Sequence, residues 1–155
     1  MKFLKLLFFL FVVILFNSCK KEYSNENLID PIGSWEFTNA GANYSGYLDA
    51  FHTSAGIGSN TQVLTGKTFD NSETFELKLL TDSLRTGLYK ASQFQCSFSF
   101  TRGSTVLYKA NGLIGEFIVD ITAIDSTHLT GTFSGTAADQ SNKLVQITKG
   151  QVIIQ

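Results

Sequence analysis

Reactive and metal-binding side chains are scarce in this sequence. It has two cysteines, Cys19 and Cys96, and two histidines, His52 and His128. There is no Cys-x-x-Cys, no paired-histidine spacing and no cysteine framework, which excludes a zinc ribbon, a thioredoxin-like motif and a disulfide scaffold. No G-x-S-x-G, phosphate loop or dinucleotide fingerprint is present. Positive charge is not in surplus either. Lys plus Arg number 12 against 13 Asp plus Glu, so no basic field exists to hold nucleic acid. After residue 32 no segment keeps a convincing helical stripe. The single proline, Pro31, stands just before that point.

One long apolar run is present, LLFFLFVVILF, from Leu6 to Phe16. Lys2 and Lys5 precede it, and Asn17, Ser18 and Cys19 follow it. Charge, apolar segment, then small or polar residues is the three-part pattern of a secretory signal. The run falls short of the roughly 17 to 25 residues that a membrane-spanning helix needs. It is apolar on every side, unlike the stripe of a core helix. Ser18 and Cys19 resemble the lipobox of bacterial lipoproteins, with Phe16 where Leu is commoner and Asn17 at the next position. The resemblance implies that the Cys19 thiol receives a diacylglycerol and that cleavage frees its amino group. Two or more acyl chains anchor a protein stably, at about 0.8 kcal/mol per buried CH₂. No Asp follows Cys19, so the resemblance favours delivery to the outer membrane. "CKKE" is similar to the surface-export signals of Bacteroidota lipoproteins, with one acid, Glu22, where two or more are usual. Periplasmic face and cell surface both stay open.

These features divide the chain into a lipoprotein signal peptide (1–18), a lipidated cysteine with a polar, flexible tether (19–31), and one domain (32–155). Removing residues 1–18 leaves 10 Lys plus Arg against 13 Asp plus Glu, a formal charge of about −3. Cys96 then has no partner for an intrachain bridge, although the compartment is oxidising.

Within the domain the dominant period is two. Phe94, Cys96, Phe98 and Phe100 alternate with Gln95, Ser97, Ser99 and Thr101, the mark of a half-buried strand. Phe75, Leu77 and Leu79 repeat the pattern, as do Phe117, Val119 and Ile121, and Leu129 with Phe133. Each buried Phe stabilises the fold by roughly 1.5 to 3 kcal/mol. Turn signals "FDNSE", "RGST", "KANG", "AIDST" and "ADQSN" separate the runs. "TDSLRTG" reads as a loop leading into a strand "GLYKA". The expected fold is all-β, a single antiparallel β-sandwich of about eight to ten strands.

Residues 60–155 resemble a group of uncharacterised Bacteroidota lipoproteins. Gly131–Thr136 match its G-T-F-S-G-T, and Ile147, Thr148 and Gly150 match its closing I-T-x-G. The group has no established activity, so no catalytic residue follows from the match. Gly33 and Trp35, in "GSWEF", are similar to the opening of lipocalin-like barrels, where the Trp closes one end. That resemblance implies an alternative fold, a lipocalin-like β-barrel.

Chemistry is thinly represented. His52 has Asp49 three residues before it, and His128 has Asp125. One His and one carboxylate do not complete a metal site, and both histidines read as solvent-facing. Cys96 lies between Phe94 and Phe98 on its strand face, without the base or cation that activates a thiol. No catalytic residue, metal or cofactor is expected. Residues 39–60 are rich in Gly, Ser and Asn with interleaved aromatics, which suits a binding surface. Tyr44, Tyr47 and His52 are the candidate ligand contacts there. The expectation is a non-catalytic binding or accessory module of the outer membrane, held by its lipid, with a glycan, protein or small ligand as partner. A lipocalin-like carrier of a small apolar ligand is the alternative, and a hydrolase finds almost no support.

Overall fold

The computed structural model describes residues 32–55 and 60–155. The expected signal peptide, Cys19 and the tether lie outside the described residues. Ten strands follow in order: β1 (Gly33–Asn39), β2 (Ala42–Ala55), β3 (Asn60–Thr68), β4 (Thr74–Leu80), β5 (Gly87–Lys90), β6 (Cys96–Arg102), β7 (Thr105–Ala110), β8 (Phe117–Ile124), β9 (Leu129–Asp139) and β10 (Leu144–Ile154). A 3₁₀ turn, Ala91–Gln93, separates β5 from β6.

All pairings are antiparallel, and the last strand pairs with the first. Gly33 stands opposite Ile154, and β10 also pairs along its length with β9. The ring is therefore closed. β7 meets only the end of β9, through Tyr108–Asp139 and Lys109–Ala138. The rest of that edge of β9 is taken by β8. β6 pairs with β7, and β5 with β8. Thus β5 and β6 run in line as one interrupted wall, and β7 and β8 as the next. The result is an antiparallel closed barrel of eight walls, visited in chain order.

This overturns the expected sandwich. Both architectures alternate inward and outward residues, so the period of two cannot separate them. Closure comes from features that bend strands. Bulges interrupt the ladders at Glu36/Thr38, Leu48/Ala50, Phe100/Thr101, Ile121/Ala123 and Ile147/Gly150, and a bulge kinks and twists its strand.

The interior is packed with rings. Trp35, Phe37, Phe75, Phe98, Phe100, Phe117 and Phe133 are all buried. Trp35 stacks on Phe75 at 4.8 Å and 9°, and Phe37 meets Phe98 and Phe100 edge-on at 5.5 and 5.2 Å. Such offset and edge-to-face pairs add roughly 0.5–1.5 kcal/mol each beyond area burial. Glycines make the room. Trp35 stands opposite Gly46, and a Cβ there would lie 2.7 Å from its Cζ2. On β3, a Cβ at Gly66 would lie 2.7 Å from Trp35 Nε1. Gly150 stands opposite Phe133, with its ring against the missing Cβ at 2.6 Å. The indole N–H donates to the Tyr47 carbonyl at 3.1 Å, so the buried ring leaves no polar group unpaired.

The inward residues expected in β4, β8 and β9 are buried as the alternation required, and so are Cys96, Phe98 and Phe100. Phe94 is a correction. It is 62% exposed, because β6 begins only at Cys96. Phe94 closes the 3₁₀ turn in the left-handed conformation (φ 57°), donating its N–H to the Ala91 carbonyl.

Gly66→Ala is expected to destabilise the barrel by about 1–3 kcal/mol through overpacking, read by urea unfolding. Part of that cost should vanish in a Trp35→Leu background, since contacting residues are non-additive. Strict additivity of the two changes would contradict the proposed fit of ring to glycine.

Candidate functional site

The three candidate ligand contacts do not converge. Tyr44 points into the barrel. Its ring stacks on Phe37 at 4.9 Å, and its hydroxyl shares a hydrogen bond of 3.0 Å with that of Tyr108. Burial, then the bond to Tyr44, pushes the Tyr108 phenol up to about 12. This partly buried pair packs against the core near one end of the barrel. Tyr47, three residues on, lies on the outer face and donates its hydroxyl to the Asn71 side chain in the β3–β4 turn. His52 is also exposed on the outer face, paired laterally with Val63. The bulge at Leu48/Ala50 shifts the alternation, which is why two residues five apart share a face. Asp49 accepts from the Thr65 hydroxyl at 3.0 Å.

The second histidine belongs to a turn. Asp125 accepts from the backbone N–H groups of Thr127 and His128, each at 2.8 Å, and faces His128 Nδ1 at 3.1 Å. The two backbone bonds, chiefly, hold its carboxyl down at about 2. Asp70 does the same work in the β3–β4 turn, held at about 2 first by the Thr68 hydroxyl and then by Ser72. Among the described residues no three His, Cys, Asp or Glu side chains group as metal ligands. Cys96 is buried, its thiol donating to the Tyr89 carbonyl at 3.2 Å. Desolvation pushes it up to about 12, so the nucleophilic thiolate is suppressed.

The outer face beside Tyr47 offers a more coherent surface. Glu36 stands between Gln151 and Ser45, and Ser34 between Ile153 and Tyr47, across β10, β1 and β2. Phe69 walls the Ser34–Ser45 side, enclosing a depression of about 300 Å³. A second depression of about 420 Å³ adjoins it, sharing Glu36 and Ser45 and reaching Asn43 and Lys149. Lys149 sits in the β10 bulge with φ 52°, a placement that re-aims its side chain. Hydroxyl, amide, carboxylate and ammonium groups thus line one groove with an exposed aromatic at its rim. Of the three candidates, Tyr44 lines the second depression and Tyr47 borders the first through its pairing with Ser34; sequence reasoning missed Glu36, Phe69, Lys149 and Gln151, which β1, the β3–β4 turn and β10 bring beside β2. Comparison of the chain with protein families, curated proteins and solved structures finds no match.

Two outcomes are expected in solution. Cys96 should resist thiol reagents at pH 8 in the folded protein and react on unfolding, followed by mass spectrometry. Asp70 has a folded-state value below its unfolded one, so its contribution is present above the unfolded carboxylate range and is lost as pH falls through about 2. Asp70→Asn should therefore flatten the acid limb of stability between roughly pH 4 and 2, as read by unfolding across that range.

Proposed function

We propose that the chain is a lipid-anchored module of the outer membrane that binds through its outer surface and performs no catalysis. The observation that carries this reading is the packing of rings inside the barrel. Trp35, Phe37, Phe75, Phe98, Phe100 and Phe133 occupy the barrel axis at centroid spacings of 4.8–5.9 Å among neighbouring rings. Rings in contact at such spacings leave the space between them dry and full. A ligand is then met on the outside, where the groove beside Tyr47 presents Glu36, Gln151 and Phe69. The anchor rests on the apolar run and Ser18–Cys19. A glycan or a protein segment suits such a polar groove with an aromatic rim.

A lipocalin-like carrier of a small apolar ligand is the second reading. The closed eight-walled barrel and Gly33 with Trp35 at the start of β1 favour it. The packed rings weigh against it.

Acyl-chain labelling of wild type and Cys19→Ala in the native host tests the anchor. Label in the first and none in the second is the expected result, and an unlabelled wild type would sink the lipoprotein reading. Titration with an environment-sensitive apolar dye separates the two binding modes. No saturable binding is expected. One-to-one saturation abolished by enlarging an interior residue, such as Leu64→Phe, would favour the carrier.

A further inference from the structure

The barrel wall is interrupted twice at the same place. β5 gives way to β6 at residues 91–95, and β7 to β8 at residues 111–116. The two breaks pack on each other. A Cβ at Gly112 would lie 2.8 Å from two ring carbons of Phe94 and 2.6 Å from the Ala91 carbonyl oxygen. Large apolar side chains face outward around this junction. Leu113 is 85% exposed, Phe94 62%, Leu88 58% and Leu80 44%. Leu80, Phe94 and Gly112 line one groove of about 210 Å³. Lys78 rims it with its ammonium paired to Glu76 at 2.9 Å. Among the described residues the other exposed large apolar side chains, Phe51, Phe69, Val106 and Leu144, are dispersed over β2, the β3–β4 turn, β7 and β10.

The conformation makes this exposure more telling. Phe94 holds φ 57°, a region that suits Gly or Asn and disfavours a bulky side chain. An aromatic ring kept outside at that position gains nothing from the core. Clustered exposed apolar groups mark a surface that meets something.

We infer that this junction rests on the lipid surface to which the chain is anchored. The inference builds on the anchoring proposed above. Twelve residues, 20–31, separate Cys19 from Ile32. At no more than about 3.3–3.6 Å per residue they reach roughly 40 Å. A domain of this size has a radius of gyration of about 14 Å, so the tether lets any wall touch the bilayer and keeps it within reach. Under that confinement a modest apolar contact is enough, because the second attachment is intramolecular. Leu113 and Phe94 enter the headgroup boundary, and the wall of β4, β5 and β8 faces the lipid. The groove beside Tyr47, Glu36 and Gln151, on β10, β1 and β2, is then turned away from the membrane toward its ligand.

The test uses the acylated protein reconstituted into mixed phosphatidylethanolamine–phosphatidylglycerol vesicles. An environment-sensitive dye is attached to Leu113→Cys, and in a separate sample to Leu144→Cys. The buried Cys96 stays unlabelled. Vesicle flotation reports the anchor, and quenching by lipid-borne spin labels reports contact. The expected result is flotation of both samples, with a blue shift and loss of emission at position 113 only. Adding Phe94→Asn and Leu80→Ser should restore aqueous emission at 113 while flotation is unchanged. Asn favours the left-handed conformation, so the turn survives the change. Flotation with equal, aqueous emission at both positions overturns the membrane-facing junction and leaves the anchor standing. Loss of flotation overturns the anchor and the junction's role with it.

Discussion

The barrel depends on one steric arrangement, an indole ring laid across strands that have no side chains beneath it. Trp35 lies over Gly46 and Gly66 and reaches Phe75 on the fourth strand. A sheet that curves into a small barrel brings opposite walls close together, and large residues on every wall would collide. Pairing the bulkiest side chains with glycines resolves the collision. Phe133 over Gly150 repeats the solution across β9 and β10. Burial of these rings drives folding, while the glycines set how tightly the sheet can bend.

The same economy governs polar groups. The Trp35 N–H finds the Tyr47 carbonyl, and the hydroxyls of Tyr44 and Tyr108 satisfy each other near one end. Glu73 is buried in the β3–β4 turn, where its carboxylate is met by Arg102. Among the described residues no buried side-chain nitrogen or oxygen lacks a partner. Asp70 and Asp125 are committed to turns, and the Cys96 thiol is sealed in the core. The outer surface carries the polar groove and the apolar junction.

Local alternation was legible in the sequence, because one strand face against one core is a nearest-neighbour property. Phe75, Leu77 and Leu79, and Phe117, Val119 and Ile121, could be assigned inward from their spacing alone. Closure was not legible, since it rests on the pairing of Gly33 with Ile154, far apart in the chain. The bulges were equally silent, and one of them puts His52 on the face of Tyr47. Tyr44 and Tyr47, three apart in an alternating strand, had to fall on opposite faces, so their separation was readable. Phe94 followed the period but lay beyond the strand's start, where a turn overrides it. The outer groove was hidden because Glu36, Phe69 and Gln151 come from three distant segments.

The pairing of first strand with last has a kinetic side. β1 can pair with β2 at once, but its other edge must wait for β10, the last of the ten strands. Until then β1 and the growing far end both present unpaired backbone, the kind of edge that recruits foreign strands. Ladders that join distant residues also raise contact order, which slows folding by several orders of magnitude relative to helical bundles of similar stability. Loss of the last strand would therefore leave two permanent edges on either side of a gap, and a buried tryptophan facing it. The fold is thus least forgiving at β10, the strand that joins β9 to β1 and closes the ring.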